Sequence, residues 1–337
     1  MKNYMKTTFE ASQEQLIGRI QSYLFVEISQ LNAFIDEYTS SNQGLIREIA
    51  GYIFSSGGKR IRPVLTILCS KLFNYNKDLV HIYLATAVEF IHTATLLHDD
   101  VVDGSTVRRG NETANIKWGS KASILVGDYL FSQAFKLMTY ARDQSTQSVL
   151  SSAAVKIAEG EVSQLVASSS LNISFDKYIE IVSGKTAELF AAACCVAGTI
   201  AEQDHKICDN LWKFGLNLGI LFQIIDDQLD YFANEEEFDK NLGDDFIEGK
   251  VTLPVLLSYS LGSNQNFWDI MFAKNLRTKD DFKQAIEVME SEGINTKIAD
   301  FIANYYDLAN DALLSLPESE AKSILKDILN FTIYRGY

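Results

Sequence analysis

A chain of 337 residues, 47% of them hydrophobic, can bury a sizeable core. Its net charge of −14 argues against a nucleic-acid partner, which is bound through basic surfaces; a small anionic ligand stays open, because local cations outvote a global sign. Only three prolines occur and no Pro- or Ser-rich linker, so residues 1–337 are expected to form a single domain, with 1–12 as a flexible N-terminal arm.

The opening, "MKNYMKTTFEASQEQL", lacks the apolar stretch of a signal peptide and is not Arg-rich, which favours a cytoplasmic protein. No run reaches the roughly 18 consecutive apolar residues of a membrane span, although peripheral membrane association stays open. Next comes "GGKRIRP" (Gly57–Pro63). Its glycine pair lets backbone approach a phosphate, and Lys59, Arg60 and Arg62 offer cationic donors before a helix-starting proline. A surface turn is the competing explanation.

The spacing then predicts a helix over Ala85–Asp99 that ends in Asp99, Asp100 and Asp103, with Arg108 and Arg109 close behind. Helices follow over Ala122–Met138 and Ser174–Cys194. The second contains Gly184, at a cost of about 1 kcal/mol in a helix interior, for which a kink or a ligand approach is a reason. Lys185 and Thr186 interrupt its apolar run. The Leu211–Phe232 helix ends in Asp226, Asp227 and Asp230, and Lys240 and Lys250 come after it. Over Ser315–Leu329 a helix is expected to start with Pro317 near its first turn. The long helices are apolar around most of their circumference, which marks central helices, and strand-like alternation is scarce. The fold class is therefore all-α, a bundle. Four cysteines, Cys69, Cys194, Cys195 and Cys208, form no CxxC pair and are expected to be reduced core residues.

The repeated pattern "DDVVD" and "DDQLD" carries the chemistry. Positions i and i+4 share a helix face, so Asp99 and Asp103 point the same way, as do Asp226 and Asp230. One such cluster in an acidic protein is more often a solvated helix end. Two, each closing an apolar helix and each followed by basic residues, favour a divalent cation that offsets the repulsion. Mg²⁺ suits one or two carboxylates with waters and phosphates. Zinc is disfavoured because His81, His92, His98 and His205 show no zinc-type pairing, and an EF-hand loop is absent.

The stretches "GGKRIRP", "FIHTATLLHDDVVDGSTVRRG", "GEVSQL", "GKTAELF", "LFQIIDDQLDYF" and "GDDFIEGKVTLP" together resemble the trans-isoprenyl diphosphate synthases, or polyprenyl synthetases, in family order from Gly57 to Pro254. The resemblance implies mostly antiparallel helices around a deep cavity, a homodimer, and head-to-tail condensation of an allylic diphosphate (farnesyl or geranyl diphosphate) with isopentenyl diphosphate. It implies that Asp99, Asp100 and Asp103 hold Mg²⁺ on the allylic diphosphate, that Asp226, Asp227 and Asp230 hold Mg²⁺ from the opposite wall, and that three ions are bound. Arg108, Lys185, Gln223 and Lys240 would contact the allylic diphosphate, and Thr186 would stabilise the allylic cation. Lys59, Arg62, His92 and Arg109 would bind isopentenyl diphosphate; His92 also reads as a core histidine on an apolar helix.

Chain length would be set by residues one or two turns before Asp99, namely Ile91, Ala94 and Thr95, and the small Ala94 and Thr95 suggest an open tunnel and a product of about C40. That stretch resembles long-chain members such as octaprenyl synthases supplying quinone side chains, with Phe90 as a candidate floor. The alternatives are a short-chain (C15–C20) synthase or a non-catalytic subunit of a heteromeric synthase, although such subunits typically lose one aspartate motif and this chain keeps both. A terpene cyclase fits less well, since its second metal motif mixes Asn, Ser/Thr and Glu. Membrane association, if present, would serve product release.

Overall fold

The computed structural model describes residues 2–168, 170–233 and 242–334. In chain order the helices are α1 (Lys2–Tyr23), α2 (Phe25–Thr39), α3 (Gly44–Ser55), α4 (Ile61–Lys71) and α5 (Val80–Val102). A two-stranded hairpin follows, β1 (Val107–Arg108) with β2 (Asn111–Glu112), paired Val107 to Glu112 and Arg108 to Asn111. Then come α6 (Ala114–Trp118), α7 (Ser120–Met138), α8 (Gln144–Ala167) and α9 (Phe175–Val182). A π-turn, Ser183–Ala187, joins α9 without a break to α10 (Glu188–Ile200). The remainder is α11 (His205–Phe232), α12 (Asp244–Glu248), α13 (Leu253–Ser260), α14 (Gln265–Phe272), α15 (Lys279–Ser291), α16 (Ile294–Leu314) and α17 (Glu320–Tyr334). The protein is all-α; the hairpin is the only sheet among the described residues.

The chain divides into two compact units. The first comprises Met1–Ala154, Leu189–Gly215 and Ala312–Ile328; the second comprises Val155–Glu188, Leu216–Asp311 and Leu329–Tyr337.

In the first unit α5 packs on α7, α4 and α2. From Val80 to Ala94 nearly every position of α5 is buried, charged Glu89 included, as an apolar circumference requires. α4 is buried from Val64 to Ser70. Cys69, Cys194 and Cys195 are free and buried, and Cys208 is free and half-buried. Two stretches, Val80–Val102 and Phe175–Ile200, are helices long and apolar enough to cross a membrane, yet most of each is buried inside the protein, as core helices are.

In the second unit Phe246 meets the rings of Trp268, Phe272 and Phe282. Buried Arg277 is satisfied by carbonyls, donating to Phe246 O at 2.7 Å and Lys274 O at 3.0 Å.

Two local expectations change. The final helix begins at Glu320, with the Ser319 hydroxyl accepting the Lys322 N–H at 3.2 Å, so Pro317 lies in the preceding turn rather than near the first helical turn. At Gly184 the reason for glycine is a crossing of backbones. A Cβ there would meet Gly160 Cα and the Lys156 carbonyl oxygen, each at 3.0 Å. A Cβ on Gly160 would meet Lys185 N at 2.6 Å. α8 and the π-turn therefore touch backbone to backbone. Gly160→Ala is expected to cost about 2 kcal/mol of stability in urea unfolding, the range of core overpacking; unchanged stability would contradict so close a crossing.

Candidate active site

In the first unit the loop before α4 is shaped by left-handed backbone. Gly57, Gly58 and Arg60 have φ of +82°, +145° and +44°. The β1–β2 turn does the same with Arg109 at +52° and Gly110 at +73°. These two segments meet: the Arg109 guanidinium donates to the Gly57 carbonyl, and a Cβ on Gly58 would come within 2.5 Å of Arg109 Nη1. Glycine at 58 is thus favoured by its φ, while the guanidinium, the mobile end of a long side chain, can shift.

Arg62, in the first turn of α4, places Nη1 3.1 Å from His92 Nε2 on α5 and stacks its guanidinium 4.4 Å over the Phe190 ring. An arginine only donates, so Nε2 accepts and Nδ1 carries the ring proton. Burial first, then the charges of Arg62, Arg109 and Arg108, hold the His92 pKa well below its ordinary value, and the ring is neutral. Burial pushes Arg62 down to about 10, still a cation at neutral pH. Beneath them lies Glu89, one helical turn before His92, a buried carboxyl whose nearest charges are Arg60, Arg62 and Arg109. Sequence reasoning passed over Glu89; its only signal was an acid in the middle of an apolar helix. Lys59 is exposed on the loop between Gly58 and Arg60.

At the other end of α5 the helix stops at Val102. Asp103 caps it, its N–H bonded to the Asp99 carbonyl at 2.8 Å, so the i,i+4 relation of Asp99 and Asp103 holds to the last residue. Asp100 turns elsewhere. It is buried and accepts Arg108 Nε at 2.8 Å, while Asn115 Nδ2 donates to the Asp100 and Ser105 carbonyls at 3.0 and 3.1 Å. The hairpin is thereby tied to the helix end. Ile91 and Ala94 are fully buried on α5, and Thr95 is half-buried with its hydroxyl bonded to the His92 carbonyl. Phe90 is buried against Phe54, ring centroids 5.7 Å apart.

In the second unit the π-turn presents Lys185 and Thr186. The Lys185 ammonium donates to Glu161 at 3.0 Å and Gln164 at 2.7 Å, both on α8. The Thr186 hydroxyl donates to Gln223 Oε1 at 2.9 Å, and Gln223 Nε2 donates to Asp227 Oδ1 at 2.8 Å. Asp227 is buried and its other oxygen accepts the Tyr178 hydroxyl at 2.7 Å and the Leu253 N–H at 3.3 Å. Asp230 accepts the Asp245 N–H at 3.2 Å. Asp226 is half-buried. Lys250 pairs with Glu248 at 2.7 Å. Lys240 lies outside the described residues.

This carboxylate cluster is electrostatically incomplete. Burial, then the charge of Asp245, pushes Asp227 up to about 7 and Asp230 up to about 8. Such crowding fits a cation. Among the described residues, no three His, Cys, Asp or Glu side chains converge into a cage that holds a metal by protein atoms alone.

The chain matches the family model described as Polyprenyl synthetase over residues 43–289. An octaprenyl diphosphate synthase of Escherichia coli (strain K12) is 44% identical over 240 residues, 71% of this chain and 74% of that protein. A geranylgeranyl diphosphate synthase of Saccharolobus solfataricus is 32% identical over 91% of this chain and 96% of its own. Among solved structures, a polyprenyl synthase from Caulobacter crescentus CB15, complexed with calcium and isoprenyl diphosphate, superposes with a TM-score of 0.89 at 39% identity, covering 95% of this chain and 98% of that one. Motifs, fold and relatives agree: the chain belongs to the polyprenyl synthetase family and is a trans-prenyltransferase.

Proposed function

We propose that the protein is a Mg²⁺-dependent synthase that adds isopentenyl diphosphate head-to-tail to an allylic diphosphate and makes a long all-trans product of about C40 for quinone side chains. The observation that carries the chemistry is the sorting of charge: in each unit an aspartate cluster closes a long helix, Asp100 of the first being paired with Arg108, while Lys185 of the second sits on the π-turn whose Thr186 reaches Asp227 through Gln223. In the first unit Lys59, Arg62, His92 and Arg109 bind isopentenyl diphosphate. Neutral His92 offers no repulsion to Arg62, and Glu89 balances the arginines when no anion is bound. Asp99 and Asp103 are the pair held on one face to take the metal, with Asp100 orienting Arg108. In the second unit Asp226 is the residue placed for metal, while Asp227 is occupied by three protein donors and Asp230 by one. Lys185, Gln223 and Lys240 contact the allylic diphosphate, and Thr186 faces the carbon that becomes cationic. Bound Mg²⁺ supplies charge neutralisation for the departing diphosphate. The protein acts as a cytoplasmic homodimer; light scattering should give twice the chain mass of 37.8 kDa.

Product length rests on the small Ala94 beside Ile91 and Thr95, and on the likeness to an octaprenyl diphosphate synthase. The likeness to a geranylgeranyl diphosphate synthase is the counterweight. Farnesyl diphosphate, labelled isopentenyl diphosphate and Mg²⁺ should give a ladder ending near C40, and Ala94→Phe should end it several isoprene units earlier at a similar rate of first addition. A wild-type ladder that stops at C20 would assign a short-chain synthase, and no elongation from any allylic primer would point to a non-catalytic subunit.

A further inference from the structure

Tyr178 belongs to none of the motifs, yet it ends a buried chain of hydrogen bonds that reaches Thr186. It sits on α9 with 3% of its surface exposed. Its hydroxyl and the Leu253 N–H both donate to Asp227 Oδ2, at 2.7 and 3.3 Å. Oδ2, which receives both donors, is an acceptor. Gln223 turns its NH₂ toward Asp227 Oδ1, at 2.8 Å. Its carbonyl oxygen is then the atom that faces Thr186 at 2.9 Å, and the Thr186 hydroxyl must donate to it. The bonds run in series, from Tyr178 through Asp227 and Gln223 to Thr186.

The direction matters because a hydroxyl has two electrical ends. With its hydrogen committed to Gln223, Thr186 turns its lone pairs to its other neighbours. With Gln223 flipped, the amide NH₂ would occupy that hydroxyl's acceptor side and its hydrogen would point outward. In a buried site with little solvent to reorient, this reversal exchanges a favourable dipole for an unfavourable one beside a developing positive charge.

We propose that Tyr178 is a positioning residue that, through Asp227 and Gln223, fixes the Thr186 hydroxyl with its lone pairs toward the developing allylic cation. The inference rests on the reading of Thr186 given above. Tyr178→Phe in the full-length protein removes one oxygen and keeps the ring. The kcat for isopentenyl diphosphate addition should fall about 10-fold, with KM for isopentenyl diphosphate and the Mg²⁺ half-saturation within about twofold of wild type. Calorimetric titration of Mg²⁺ in the presence of inorganic pyrophosphate should be unchanged. In a Thr186→Val background the same substitution should have no further effect, because no hydroxyl remains to be aimed.

An unchanged kcat, an equal loss in the Thr186→Val background, or a loss cured by saturating Mg²⁺ would each overturn the inference. Should Tyr178→Phe fail to fold, 3,5-difluorotyrosine at position 178 keeps the ring and hydroxyl while changing its donor strength; kcat must shift, and the shift must vanish in the Thr186→Val background. If Thr186→Val itself leaves kcat intact, the reading of Thr186 fails and this inference with it; if Thr186→Val is slow but the two losses simply add, only the inference fails.

Discussion

Asn in place of Asp99 is expected to lower kcat/KM for elongation by about 10³-fold while moving the melting temperature by no more than about 2 °C. The two readouts separate because of where Asp99 sits. Its carbonyl closes the last turn of α5 through the Asp103 N–H, a bond that asparagine keeps. Its carboxylate shares a face with that of Asp103, and neutralising one member of a like-charged pair relieves repulsion in the free protein. On the proposed role of this pair, the same change with substrate bound removes half of a divalent-ion seat. Asp100→Asn should behave the other way about. Asp100 is buried against Arg108 at 2.8 Å, so its loss should cost about 1–2 kcal/mol of stability and a smaller share of activity. Steady-state kinetics and thermal unfolding of the two variants check both expectations. An Asp99→Asn enzyme within tenfold of wild type would remove Asp99 from the metal seat.

Stripping divalent metal with EDTA should abolish elongation, and it should cost more stability at pH 8 than at pH 6. The sign comes from Asp227 and Asp230, whose pKa values rise to about 7 and about 8 in the folded protein from an ordinary 3.8. Below pH 3.8 both forms of the chain hold these protons and no penalty exists. As pH rises toward 8 the unfolded chain has released them while the folded protein still binds them, so stability falls; above about 8 the penalty is complete. A divalent ion beside the carboxylates removes that penalty. Added Mg²⁺ should therefore raise the melting temperature by several degrees at pH 8 and by less at pH 6, and Asp230→Asn should flatten the difference. A Mg²⁺ effect independent of pH in wild type would show that these two carboxyls do not feel the ion.

The long helices were legible because periodicity survives burial: α5, α7 and α11 contain the stretches expected from apolar spacing. The aspartate clusters were legible because they close those helices. The hairpin was not, since strands of two residues are too short to alternate, and the only local signs were Gly110 and the arginines around it. The π-turn was not, because its cause lies on another helix: Gly184 reads as a local weakness until Gly160, 24 positions earlier, is found against it. Tyr178 and Glu89 escaped for the same reason. One reaches Asp227 across 49 residues, the other sits under arginines from two segments, and neither relation leaves a spacing to read. Of the two aspartate motifs, sequence treats all six acids alike. The structure separates them: Asp100 is buried against Arg108, and Asp227 is buried against Gln223, Tyr178 and the Leu253 N–H.

A π-turn is an α-helix carrying one surplus residue. Excising one residue from Ser183–Ala187 would leave an ordinary helix in which Glu188–Ile200 keeps its phase and its buried face. The helix phase does not need the extra residue; what that residue sets is the local crossing with α8 and the aim of Lys185 and Thr186. On the proposed roles of Lys185 and Thr186, a chain one residue shorter at this point is expected to keep its helix and lose elongation, folding and chemistry being written on separate letters of the sequence.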